Sequence, residues 1–216
     1  MTKLVSGLLA IVLASNVAAA RDFAKAPTQV TPTAESKAPM QAPIDRAAVM
    51  TALAARRTHN LASFRAYVTA GVYPRNHVRP GPLNVWRDRD GRLCAAATMI
   101  DRDGNHDLVM KTAQDSNNLR LLDVTSGALM DWMLTSGLTI EEIDRIQKPA
   151  PRPNPSQLEP SWETKADAQL RADYDRTLKF LDANRVEGLA SATDRLMANP
   201  VLARQLLDST VVARRS

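Results

Sequence analysis

The sequence is poor in the residues that most cofactor chemistry requires. Its one cysteine, Cys94, excludes an intramolecular disulfide, a cluster held by several thiolates and a Cys-rich zinc site. Three histidines, His59, His77 and His106, leave little material for a His-rich metal centre. Aromatic residues make up 4% of the chain, too few for a sugar-stacking platform or a base-stacking surface. Beyond the first twenty residues no apolar run approaches the roughly 18 residues of a membrane span. Also missing are G-x-S-x-G, H-E-x-x-H, the P-loop and G-x-G-x-x-G. No metal and no cofactor is expected. What is present is a chain of ordinary globular composition, 44% hydrophobic and 24% charged, with room for one domain plus appendages.

Residues 1–20 have the three parts of a secretory signal peptide. Met1-Thr2-Lys3 is a basic start, Leu4–Leu13 an apolar run, and Ala18-Ala19-Ala20 an A-x-A that places cleavage before Arg21. No cysteine follows the apolar run, so a lipoprotein anchor has no attachment point. The expectation is an exported protein, periplasmic or extracellular, with no transmembrane segment after signal cleavage. In an oxidising compartment a lone thiol persists by being buried, paired with another chain or used as a nucleophile. The small apolar neighbours of Cys94 favour burial.

Residues 21–43 carry Pro27, Pro32, Pro39 and Pro43 among small polar residues and read as a disordered tether. Residues 148–160 open with proline at every second position, Pro149, Pro151, Pro153 and Pro155, and read as an extended linker. Between them, residues 44–147 are expected to form an α+β domain. Helices come first, interrupted at Arg57-Thr58-His59-Asn60 and stopped by Gly71 and Pro74. A small antiparallel β-meander of three to four strands follows, over 83–86, 92–100, 107–112 and 119–124. Its turns would be Asp88-Arg89-Asp90-Gly91 and Asp101-Arg102-Asp103-Gly104. A helix capped at Thr125-Ser126 and ended by Gly137, and a short second one to Gln147, opened by the capping box Thr139–Glu142, close the domain. Residues 161–216 are expected to be an all-helical module, with Asn199-Pro200 starting the last helix.

Neither D-x-D-G turn is a calcium loop. Aligned on an EF-hand, the ligand positions at its ends fall on Trp86 and Ala97, or on Met99 and Met110. Catalytic candidates are His77, in a polar non-helical stretch, Asp123 before a helix cap, Asp131 on the following helix, and Cys94. Two carboxylates could serve as acid and base if they lay about 5–10 Å apart. Formal net charge is +5, and arginines cluster between Arg56 and Arg102. Arg56, Arg57, Arg75 and Arg79 are therefore candidates for binding an envelope polyanion. Acidic residues interleave throughout and no nucleic-acid motif is present, so nucleic acid is not an expected partner. Trp132 and Trp162 are candidate anchors for a protein partner on helical faces. The reading that follows is a non-enzymatic binding protein of the bacterial cell envelope. Its alternatives are a small envelope hydrolase and an arginine-mediated polyanion binder.

Overall fold

The computed structural model describes residues 42–157 and 159–213. The expected signal peptide and all but the last two residues of the tether lie outside the described residues. Eight α-helices and two single-turn 3-10 helices make up the regular structure: α1 (Arg46–Ala70), α2 (Ala95–Arg102), α3 (His106–Ser116), α4 (Ala128–Thr135), α5 (Ile140–Ile146), α6 (Trp162–Ala183), α7 (Arg185–Met197) and α8 (Pro200–Ala213).

The fold among the described residues is therefore helical, and the expected α+β domain with its antiparallel meander is not found. The second and third strands are helices α2 and α3. The fourth contains only a 3-10 turn at Leu121–Asp123, and the first is extended chain with an isolated bridge from Leu83 to Ala150. The physical reason lies in period and propensity. In a run this short, an apolar segment satisfies both a two-residue and a 3.6-residue repeat. Ala95-Ala96-Ala97 then tips the balance, because alanine loses least on entering a helix. Cys94 completes the start, its Sγ accepting from Ala97 N at 3.4 Å. Both D-x-D-G turns do form. Gly91 and Gly104 adopt φ +84° and +85°, and Gly104 N donates to Asp101 O at 3.0 Å. The first turn is closed by a single bridge, Arg87 to Leu93; the second joins α2 to α3. A tight turn reports its own backbone and not what flanks it.

Helix α1 organises the rest. Asp45 caps it by accepting from Ala47 N at 2.8 Å, and Gly71, at φ +65°, ends it. It runs unbroken through the expected interruption, because Arg57 and Asn60 occupy its inward stripe between Val49, Leu53, Leu61 and Phe64, all buried. Its first half packs with Leu134, Ala192, Leu196, Ala203 and Leu206 of α4, α7 and α8. Its second half packs with Trp86, Met99, Ile100, Met133, Ile143 and Tyr174. Phe64, Tyr67, Tyr73 and Tyr174 stack with ring centroids 5.4–5.7 Å apart, an arrangement that adds to simple burial. Residues 42–213 belong to one compact unit.

The proline-rich segment lies against this body as a strap. Leu83 N donates to Ala150 O at 3.1 Å, Ala150 N to Leu83 O at 2.8 Å, and Gly81 N to Arg152 O at 2.9 Å. Ala150 is buried with Leu83 and Val85. Among the described residues no helix is long and apolar enough to cross a membrane.

Candidate functional site

The catalytic candidates are scattered. Cys94 is 3% exposed at the start of α2, and burial pushes its thiol up to about 11, so it is protonated and unreactive at neutral pH. Asp123 is exposed in the 3-10 turn and Asp131 is exposed on α4. His77 sits beside Trp162, ring centroids 6.2 Å apart and edge to face. No hydrogen bond or ion pair joins any two of these four residues.

Most of the binding candidates are consumed internally. Arg57 forms a bidentate pair with Glu142 at 2.7 and 2.6 Å and also donates to Gly137 O and Leu181 O. Both partners are buried. Glu142 also accepts from Thr139 N at 2.8 Å, as the capping box requires, and from Asn184 Nδ2 at 3.1 Å. This network binds α1, α5 and the α6–α7 junction through charge-assisted bonds. Glycine is required at two points around it. Gly137 holds φ +76° and a Cβ there would clash with the Leu53 carbonyl oxygen, and a Cβ on Gly188 would meet Glu142 Oε1 at 2.7 Å. Arg75 is bidentate to Asp167, and this pairing raises its pKa further. Trp132 is buried.

A second charged cluster escaped the sequence reading, which took Asp103 for a hairpin residue. Its carboxylate, 1% exposed, accepts from Trp132 Nε1 at 2.8 Å and from Arg56 at 3.3 Å, and it lies 3.1 Å from His59 Nε2. Asp103 thus gathers α1 and α4 onto the α2–α3 turn. A carboxylate beside an imidazole can orient a general base. Among the described residues no hydroxyl, thiol or amine is bonded to the ring, and what the contacts show is a staple between α1, α4 and the α2–α3 turn. Its only sequence signal was the D-x-D-G turn. The i, i+3 pair Arg56 and His59 points at it only once α1 is known to be continuous.

Two grooves flank the strap. The first, of about 350 Å³, is lined by Pro82, Pro151, Pro153, Arg152, Trp162 and Lys165 among others. Trp162 is half-buried in this wall. The Arg152 side chain forms no ion pair, and its Nε is buried without a hydrogen-bond partner. The second, of about 380 Å³, holds Arg79, Arg120 and Lys148. Of the four arginines singled out from sequence, Arg79 alone is exposed and unpaired. Among the described residues no group of three or more His, Cys, Asp or Glu side chains could hold a metal ion.

Comparison with models of protein families, with curated proteins and with solved structures gave no match. The geometry of these sites therefore carries the functional reading.

Proposed function

We propose that the chain is an exported, non-enzymatic binding protein of the bacterial cell envelope. It takes an extended segment of a partner protein into the groove between the strap and α6. The observation that carries this reading is the position of Trp162. Trp86 and Trp132 are spent in the core, 0% and 5% exposed, whereas Trp162 stays half-buried in a wall of proline rings. Indole rings framed by rigid apolar walls are where interface energy concentrates, since little side-chain entropy is lost on binding. The unpaired Arg152 favours a partner segment with an acidic residue beside its apolar ones, whereas Lys165 is already paired with Glu159 at 2.5 Å. The N-terminal layout of residues 1–20 supports export.

Selection of displayed peptides against the purified protein tests the groove. Enriched sequences should combine an acidic residue with apolar neighbours, shift the emission of Trp162, and lose binding to Trp162→Ala and Arg152→Glu. Binding that is undiminished in both variants would remove the groove from the reading. Export is tested separately by the intact mass of protein recovered from the periplasmic fraction, expected to begin at Arg21. Full-length protein confined to the cytosol would overturn it.

A further inference from the structure

The groove on the other side of the strap carries an inference independent of Trp162. We propose that the pocket formed by Arg79, Arg120 and Lys148 binds a dianionic phosphate group, a phosphomonoester presented at the end of a larger molecule or in free solution.

Charge saturation is the first argument. Many arginines elsewhere are paired with carboxylates, although Arg152 is not: Arg46 with Asp194, Arg56 with Asp103, Arg57 with Glu142, Arg65 with Asp182, Arg75 with Asp167, Arg145 with Glu141. In this pocket the side chains of Arg79 and Lys148 have no ion pair or hydrogen bond among the described residues. Arg120 reaches Asp144 only at 3.9 Å. Three cations face one carboxylate, a local excess of two positive charges. A phosphomonoester, which carries close to two negative charges at neutral pH, would neutralise it. The arginines can fork onto two phosphate oxygens while the lysine acts as a point charge.

The second argument is that buried amides fix the backbone segments that carry the three cations. Asn76, 0% exposed, donates to Arg79 O at 2.9 Å and Gly81 O at 2.8 Å, and accepts from Val78 N and Arg79 N. It fixes the loop bearing Arg79. Gln147 is also buried; it accepts from Leu121 N at 2.8 Å and donates to Leu119 O at 3.0 Å. It therefore grips the chain on both sides of Arg120, one residue before Lys148. Asn118 Nδ2 donates to Asn84 O at 2.5 Å, tying the remaining wall. Like charges repel, so their convergence has to be imposed. Here folding imposes it in advance, which lowers the ordering cost of binding an anion.

The pocket holds no aromatic side chain, so stacking on a nucleobase does not enter the recognition.

The test uses calorimetric titration of the purified protein with glycerol 3-phosphate, and flotation with phosphatidylcholine vesicles containing phosphatidic acid. Binding in solution identifies a free phosphomonoester as the source; binding to vesicles with weak solution binding identifies a lipid headgroup. Either result supports the site, provided that Arg79→Gln/Lys148→Gln weakens binding about tenfold or more, the effect of losing a charge-assisted bond. Lys179→Gln/Arg185→Gln, which removes the same charge from another face, should bind normally. Trp162→Ala should also bind normally, which separates this site from the groove across the strap. Equal weakening in both charge variants would overturn the proposal in favour of nonspecific attraction. Equal binding of phosphatidylglycerol, a singly charged phosphodiester, would overturn the dianion assignment, and no binding to any of these probes would overturn the site.

Discussion

Two regions of this molecule use the same side chain in opposite ways. At the junction of α1, α5 and α7, Arg57 is 3% exposed and every strong acceptor it faces is occupied: Glu142 twice, Gly137 O and Leu181 O. Beside the strap, Arg79 and Lys148 face solvent in a pocket with a single, distant carboxylate. A cation whose terminal nitrogens are bonded inside the fold, as both of Arg57's are, acts as an internal tie. A cation held in place by its backbone, with its head unsatisfied, is available for binding. Arginine count alone therefore says little about binding; saturation separates the two roles.

The comparison breaks most visibly at the buried pair. Arg57→Ala leaves the Glu142 carboxylate enclosed without its counter-charge, and a loss of about 3–5 kcal/mol is expected from urea unfolding. If Arg57→Ala unfolds at the wild-type midpoint, the junction is not a tie. Next in size is alkaline lability. Burial lets the folded Cys94 hold its proton up to about 11 against the ordinary thiol value of 9.0, so the unfolded chain releases that proton first. The contribution is full below about pH 9 and is lost as pH rises towards 11, a fall of about 2–3 kcal/mol. Burial also raises Tyr67 and Tyr174, which adds a loss of the same sign. Unfolding titrations at about pH 8 and about pH 10.5 measure the drop, and Cys94→Ala should make it shallower. Stability that is flat over this range would mean that these groups are solvated.

Smaller effects sharpen the contrast. Asp103→Ala removes the acceptor of Trp132 Nε1 and the partner of Arg56, leaving a buried indole N–H unmatched; about 1–3 kcal/mol should be lost. The smallest effect belongs to the strap side. Arg79→Gln and Lys148→Gln should leave the melting temperature unchanged, since neither head group bonds to the fold, although both alter anion binding. A pronounced fall in melting temperature would show that these cations support the fold and would erase the distinction between the two regions.

What could be read from sequence was what neighbouring residues decide among themselves. The capping box of Thr139 and Glu142 is present, Asp45 and Gly71 bound α1, and Pro200 opens α8 with Asn199 Oδ1 accepting from Leu202 N at 3.3 Å. Of the helical stripe Trp162, Ala166, Leu170, Tyr174, Leu178 and Leu181, spaced three or four apart, four are buried and Trp162 and Leu178 are half-buried. Each depends on contacts within a few residues. The strands misread as a meander failed on the same ground: over eight to eleven residues, α2 and α3 present patterns that fit either period. The polar stretch 57–60 looked like a break because nothing nearby could satisfy an arginine or an asparagine on an inward face. The partners lie far along the chain, at Glu142, Leu181 and Ser136.

The candidate sites divide in the same way. Trp162 and Arg79 were legible as residues worth testing, yet their surroundings were not. The grooves arise only because Asn76 and Gln147 clamp three separate segments and because the proline strap returns to Leu83. By itself the sequence determined caps, turns and the chemistry each side chain can offer, since propensity and short-range hydrogen bonds suffice for these. Tertiary structure alone decided which charges were neutralised and which were left open. Burial and pairing depend on partners brought together from across the chain, and no local pattern encodes whether a cation will find one.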